Sequence, residues 1–243
     1  MFARTALICT ALAAFFGLTQ FAAARPMLDF AGDSGPPSAS RGGGHGVLTG
    51  SIKQTDQMWV CRGPVDLDSV SVTMTSSFTS RRGGDAVHLE AGCTGRIGRL
   101  DVVTSVADGV KVAEGVHDLS VAAGSVRCEG KVADVHQDGM QVMGGARITL
   151  RGLHIDCGRS QDSLINSNLF IKRSGRSVNP PTDVVCVDCF LGGSAAHTAS
   201  IQESVRSGLV DSTLCAAKYA KLTMSIGPNA VDPVDVGNAI DRC

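Results

Sequence analysis

From Val47 onward, apolar and polar residues alternate in short bursts. Val70-Ser71-Val72-Thr73-Met74, Val87-His88-Leu89 and Leu100-Asp101-Val102 each present one face to a core and one to solvent. Ile148-Thr149-Leu150, Leu153-His154-Ile155 and Val205-Arg206 do the same. Every burst is short and gives way to Gly, Asn or Asp, which predicts brief β-strands joined by tight turns. A weak helical stretch near 216–222 is the single exception. Residues 25–46, with Pro36-Pro37 and Gly42-Gly43-Gly44, read as a flexible N-terminal segment.

The bursts recur within a larger unit. Asp108-Gly109-Val110-Lys111-Val112 aligns with Asp138-Gly139-Met140-Gln141-Val142. With one residue inserted in the first turn, Leu119-Ser120-Val121 falls on Ile148-Thr149-Leu150, and Ser125-Val126-Arg127-Cys128 on His154-Ile155-Asp156-Cys157. Asp85-Ala86-Val87-His88-Leu89 is a looser upstream copy, and further copies are expected to begin near Asp162 and Thr198. The spacings of 23, 30, 24 and 36 residues fit one coil plus loops of variable length. Such a unit cannot bury its apolar side alone, whereas a stack of units can. The prediction is an all-β right-handed parallel β-helix, a solenoid of about seven or eight coils over residues 47–243. A β-sandwich is the alternative, although a sandwich does not require the echo in sequence.

The N-terminus changes the setting. Arg4, an apolar run to about Leu18 and the small residues Ala22-Ala23-Ala24 predict a secretory signal peptide over residues 1–24. No later segment resembles a second span, so no membrane association is expected after cleavage. Loss of the signal removes Cys9 and leaves eight cysteines in an oxidising compartment, where disulfides are expected. Cys128 and Cys157 occupy the same place in aligned units, and Cys189 and Cys215 look equivalent. Coils stack about 4.8 Å apart, a separation a disulfide tolerates. The expected bridges are therefore Cys128–Cys157 and Cys189–Cys215, with buried free thiols as the alternative. Cys186-Val187-Asp188-Cys189 has zinc-ligand spacing but lacks a second such pair. The net charge of −1 supplies no basic field for nucleic acid.

One stretch carries a family resemblance. His136-Gln137-Asp138-Gly139-Met140-Gln141, then Gly144-Gly145, Ile148-Thr149-Leu150-Arg151-Gly152-Leu153 and Ile155-Asp156-Cys157, resembles secreted bacterial proteins of the pectate-lyase-like right-handed β-helix superfamily. The resemblance covers about 85–215 and is sharpest over 134–158. It implies the fold and a range of activities, among them polysaccharide lyases, glycoside hydrolases, esterases and inactive members; fold alone does not choose among them. The paired aspartates, Gly-His-Gly and Arg-Ile-Lys of polygalacturonases are not matched. Gly44-His45-Gly46 lies in the N-terminal segment, and the nearest Arg-Ile-Lys analogue is Phe170-Ile171-Lys172-Arg173. No clear pectate-lyase calcium site is present.

The aligned units place Asp85, Asp108 and Asp138 in one column and His88, Lys111 and Gln141 in another, with His136 just before. The second column faces outward if Val87, Leu89, Val110, Val112, Met140 and Val142 face inward. As a lyase, the protein would hold Ca²⁺ on Asp85, Asp108 and Asp138, with Lys111, Lys131 or Arg147 as base. As a hydrolase, it would use Asp108 and Asp138 at the roughly 5–5.5 Å separation of retaining enzymes, tuned by His136. In a third reading the strip binds a glycan without turnover.

Gln141, His88 and Arg151 are the substrate-binding candidates. The plainer readings stand beside these: Asp-Gly is a turn signal whose carboxylate accepts backbone N–H groups. Asn166 and Asn168 suit turn backbone, and Arg147, Arg151 and Lys172 suit solvent. A metal site joining His136 and Asp138 to His154 and Asp156 is disfavoured, because the two pairs belong to different faces. With Trp59 and Tyr219 as the single Trp and Tyr, stacking on neutral sugars is poorly supplied. Lys and Arg suit an acidic, uronate-containing extracellular polysaccharide, and the expected state is a monomer.

Overall fold

Parallel pairing between strands one repeat apart organises this chain. The computed structural model describes residues 46–75, 85–105, 108–129, 137–157, 165–193, 195–215 and 222–242. The expected signal peptide over residues 1–24, nearly all of the 25–46 segment, Lys131, His136, Asp162 and residues 216–221 of the expected weak helix lie outside them.

β1 (Leu48–Thr55) leads into β2 (Trp59–Cys61) and the eleven-residue β3 (Pro64–Met74). The pattern returns as β4 (Val87–Leu89) and the eleven-residue β5 (Thr94–Thr104). Thereafter the long strand is divided in two. The third unit is β6 (Val110–Val112), β7 (His117–Val121) and β8 (Gly124–Cys128). The fourth is β9 (Gln137–Val142), β10 (Ala146–Arg151) and β11 (Leu153–Cys157). The fifth is β12 (Ile165–Lys172), β13 (Thr182–Val187) and β14 (Phe190–Gly192). Then follow β15 (His197–Gln202), β16 (Gly208–Val210) and β17 (Thr213–Cys215). The last unit is β18 (Leu222–Ile226), β19 (Val234–Val236) and β20 (Ala239–Asp241).

A seven-stranded sheet runs β18-β15-β12-β9-β6-β4-β2. A thirteen-stranded sheet runs from β19-β16-β13-β10-β7 through β5 to β8-β11-β14-β17-β20, with β3 on β5 and β1 on β3. The start of β5 pairs β7 and its end pairs β8. From the third unit onward, each unit gives one strand to the seven-stranded sheet and one to each arm of the larger sheet. All described elements are strands, and the parallel, repeating pairing is consistent with a solenoid.

Inward columns make the core. Val87, Val110, Met140, Leu169, Ala199 and Met224 stack in register, as do Leu89, Val112, Val142, Ile171, Ile201 and Ile226. The six inward residues read from the sequence, Val87, Leu89, Val110, Val112, Met140 and Val142, are all fully buried. They join one cluster that draws on both sheets, from Trp59 to Leu214. Burying each such side chain contributes about 1.5–3 kcal/mol. Gly109 and Gly139 are small for a steric reason: a Cβ on Gly139 would meet Ile155 Cγ2 at 2.6 Å, and one on Gly109 would meet Val126 Cγ1 at 2.5 Å.

Three bridges join pairs of described residues: Cys61–Cys93, Cys128–Cys157 and Cys186–Cys189. Cys128 and Cys157 face each other on β8 and β11 with Cα atoms 4.5 Å apart. The loop they close is worth about 3–4 kcal/mol in chain entropy. The expected Cys189–Cys215 pairing is corrected. Phe190 pairs with Thr213 and Leu191 with Leu214, so Cys189 sits in the turn, level with Ser212, and bridges to Cys186. Cys215 is disulfide-bonded, but not to Cys189. Val205-Arg206 is corrected as well: Val205 makes isolated bridges and Arg206 turns left-handed at φ 45°.

Candidate functional site

The strand register brings the acidic and polar columns together. Val87, Val110 and Met140 share a row, as do His88, Lys111 and Gln141, so Asp85, Asp108 and Asp138 follow one another two residues before the first row. Backbone bonds from Ala86 to Asp108 O and from Gly109 to Asp138 O fix that alignment. Beyond Gln141 the outer column continues as Phe170, Ser200 and Ser225, so its ionisable members are His88 on β4 and Lys111 on β6.

The carboxylates are enclosed rather than open to a groove. Asp138 is 0% exposed, Asp85 and Asp108 are each 4% exposed, and Gln141 is 7% exposed. Asp85 Oδ2 lies 3.4 Å from His88 Nδ1, and its Oδ1 lies 3.8 Å from Lys111 Nζ. Lys111 Nζ also lies 3.6 Å from Asp108 Oδ2, so one ammonium bridges two acids. Asp108 Oδ1 accepts the Asp138 backbone N–H at 2.7 Å. Asp138 accepts from Gln141 Nε2 at 3.1 Å and from Asn166 Nδ2 at 2.9 Å. Gln141 is therefore engaged with Asp138 and does not form an open sugar-binding surface.

Burial sets the protonation of this column. Desolvation pushes Asp138 up to about 7; the Asp108 charge adds to the rise, and hydrogen bonds from Asn166 and Ser167 oppose it. Asp85 is likewise pushed up to about 7 by burial, opposed by Lys111 and reinforced by Asp108. Burial lowers the His88 imidazole and Lys111 lowers it further, while Glu90 opposes the shift. At neutral pH the cluster thus offers an uncharged imidazole beside an ammonium, backed by two acids poised to exchange protons.

Several candidates fall elsewhere. Arg147 lies in the arm containing β10, where its Nε and Nη2 donate to Asp118 at 2.6 and 2.8 Å. Arg151 pairs with Asp188 at 2.9 Å. Neither reaches the Asp column, because both leave the sheet from β10 and not from β9. His154 and Asp156 sit on β11, and His154 packs against the Phe190 ring. Asn168 serves backbone, accepting from Cys157 N and donating to Gly192 O.

The sequence predicts a turn role for Asn166, yet its amide reaches Asp138. Ser167 stands opposite Asp138 in the same register as Leu169 on Met140, and the register shifts between it and Ile165, so no aspartate in the repeat points to Asn166. Among the described residues, no group of three or more His, Cys, Asp or Glu is arranged to hold a metal ion. Lys111 places a cation between two of the stacked carboxylates, Asp85 and Asp108.

A second element frames the site. The segment joining β12 to β13 folds back until Glu114, just past β6, accepts from Val178 N, Asn179 N and Asn179 Nδ2 at 3.0–3.2 Å. Those hydrogen bonds hold the Glu114 carboxyl below its ordinary range. Ser174 N and Ser177 Oγ both donate to Met143 O. A cleft of about 470 Å³ remains between this segment and Lys111. No motif in the sequence signals this, since the clamp joins residues 64 and 65 positions apart. Comparison with protein-family models, curated proteins and solved structures finds no match for this chain.

Proposed function

We propose that the stacked units close into a right-handed parallel β-helix, secreted, that acts on an acidic extracellular polysaccharide by lyase-type β-elimination. Right-handed connection is the near-universal choice for parallel crossovers. Disulfides accord with an oxidising compartment. The observation that carries the catalytic reading is the adjacency of Lys111 and His88. Both lie in one outward column, with side chains 32% and 24% exposed, over acids that are closed to solvent.

In this reading Lys111 faces the uronate carboxylate and withdraws charge from it, which acidifies the neighbouring C–H. Uncharged His88 takes that proton. The C–H electrons form the new C=C bond, the C–O bond to the leaving sugar breaks, and the departing oxygen takes a proton from water. Asp85 and Asp108 hold Lys111 in place, and Asp138 completes the column through Asp108.

The test incubates the purified protein with polygalacturonate and alginate, with Ca²⁺ and with chelator, and follows ultraviolet absorbance of unsaturated products. Absorbance that survives chelation is expected. Absorbance that strictly requires Ca²⁺ restores the metal-dependent version. New reducing ends without absorbance indicate a hydrolase on Asp108 and Asp138. The enclosure of Asp138 and Gln141 favours a second reading, a glycan-binding scaffold without turnover. Neither product, with retained binding on a glycan array, selects it.

A further inference from the structure

The cleft beside Lys111 has a cation of its own. Every described arginine from Arg62 to Arg206 pairs with a carboxylate, except Arg176. Arg176 is exposed, makes no ion pair with a described residue, and lines the same cleft as Lys111. Its position is not left to a loose loop. Glu114 anchors Val178 and Asn179 on one side of it, Met143 O holds Ser174 and Ser177 around it, and Ser174 Oγ accepts the Arg176 backbone N–H. The acid in the cleft, Glu114, is turned to the Val178 and Asn179 amides and makes no ion pair with Arg176. A guanidinium without an ion-pair partner, carried on an anchored backbone and lining one cleft with a lysine, suits an anion, and its planar fork matches a carboxylate.

We propose that this cleft is a specificity subsite that takes the carboxylate of an acidic sugar residue next to the one over Lys111, with Arg176 as the discriminating residue. The inference rests on the polysaccharide reading above. The connection from β12 to β13, Arg173 to Pro181, is longer than its counterparts from β9 to β10 and from β6 to β7. The subsite is therefore an addition to the repeat and not a product of it.

Binding of trigalacturonate, a mixed mannuronate–guluronate trimer and neutral maltotriose is measured by calorimetry on the full chain and on Arg176→Gln. At least one acidic trimer is expected to bind, maltotriose is not, and Arg176→Gln is expected to weaken the acidic trimer about tenfold. Glu114→Gln, which loosens the anchor but keeps Arg176, is expected to weaken it by a smaller factor. Wild-type affinity in Arg176→Gln overturns the subsite, and so does failure of the wild type to bind any acidic trimer. Turnover on the polymers is read separately. Arg176-dependent binding without turnover keeps the subsite and removes the lyase. Turnover with Arg176-independent binding does the reverse.

Discussion

Asp118, Arg147, Asp183, Arg206 and Asp232 follow one another unit by unit along one arm of the larger sheet, alternating in sign and open to water. Asp85, Asp108 and Asp138 follow one another beside the seven-stranded sheet, like on like and buried. The spacing is the same, about 4.8 Å, and the electrostatic solutions are opposite. In the exposed column each carboxylate faces a guanidinium, bidentate at 2.6 and 2.8 Å for Asp118 and at 2.7 and 2.9 Å for Asp183. All five residues are left-handed, with φ between 45° and 55°, so the column also marks a turn shared by successive units. Arg147, a base candidate by sequence, belongs to this ladder. In the buried column one lysine serves two acids, and the rest of the charge is relieved by protonation. Repeats thus tolerate stacked charge either by alternating sign in water or by titrating in the interior; only the second leaves groups near neutrality that can move protons.

The sharpest break in the comparison is functional. Lys111→Met removes the ammonium that the buried column shares, and turnover should fall more than about 100-fold, whereas Arg147→Met should leave it near wild type. Rates on the responsive polymer check both, and equal losses would show that the columns are not functionally distinct.

Stability separates them next. Asp108→Ala leaves the Asp138 N–H buried without its acceptor and deprives Lys111 of a partner, so urea denaturation should show a loss of about 2–4 kcal/mol. A loss no greater than that of Asp118→Ala would mean that burial adds nothing to the role of Asp108.

Acidity should then split the columns by sign. The Asp85 and Asp138 carboxyls are raised in the folded state to about 7 from an ordinary value of 3.8. The folded protein therefore binds more protons than the unfolded chain across about pH 4 to 7, and these groups make stability increase as pH falls through that window. Asp118 is lowered, chiefly by hydrogen bonds from Arg147 and then His117, so its contribution is present above its ordinary value and declines below about pH 4. Urea midpoints should rise between about pH 8 and 5 in the wild type and rise less in Asp138→Asn. An unchanged slope in that variant would contradict the assignment.

The smallest effect belongs to the exposed ladder. Asp118→Ala should change the urea midpoint slightly at low ionic strength and not measurably in about 0.5 M salt, because exposed pairs are screened. A salt-resistant loss would show that the ladder holds the turn through geometry rather than charge.

The repeat was legible where turn chemistry and alternation coincided. Asp-Gly followed by an apolar-x-Val triplet aligned β6 with β9, the looser Asp-Ala-Val-x-Leu added β4, and the same alignment put Cys128 level with Cys157. It faded after Cys157 because a register shift precedes Ser167 and Ser replaces Asp there. Cys189 resembled Cys215 through short flanking patterns, yet one residue stands in a turn and the other in a strand. Asn166, opposite in chemistry to the aspartate it serves, carried no mark of that role.

By itself the sequence determined which side chains point inward, that units stack, and that three aspartates share a column. Those follow from the pleat and the repeat period, which are local properties of the backbone. Tertiary structure alone decided that the aspartates are enclosed, that Lys111 bridges two of them, that Arg147 belongs to another face, and that Glu114 clamps a distant loop over a cleft. Burial and ion pairing depend on what other parts of the chain bring within a few ångströms, and no period in the sequence records that distance.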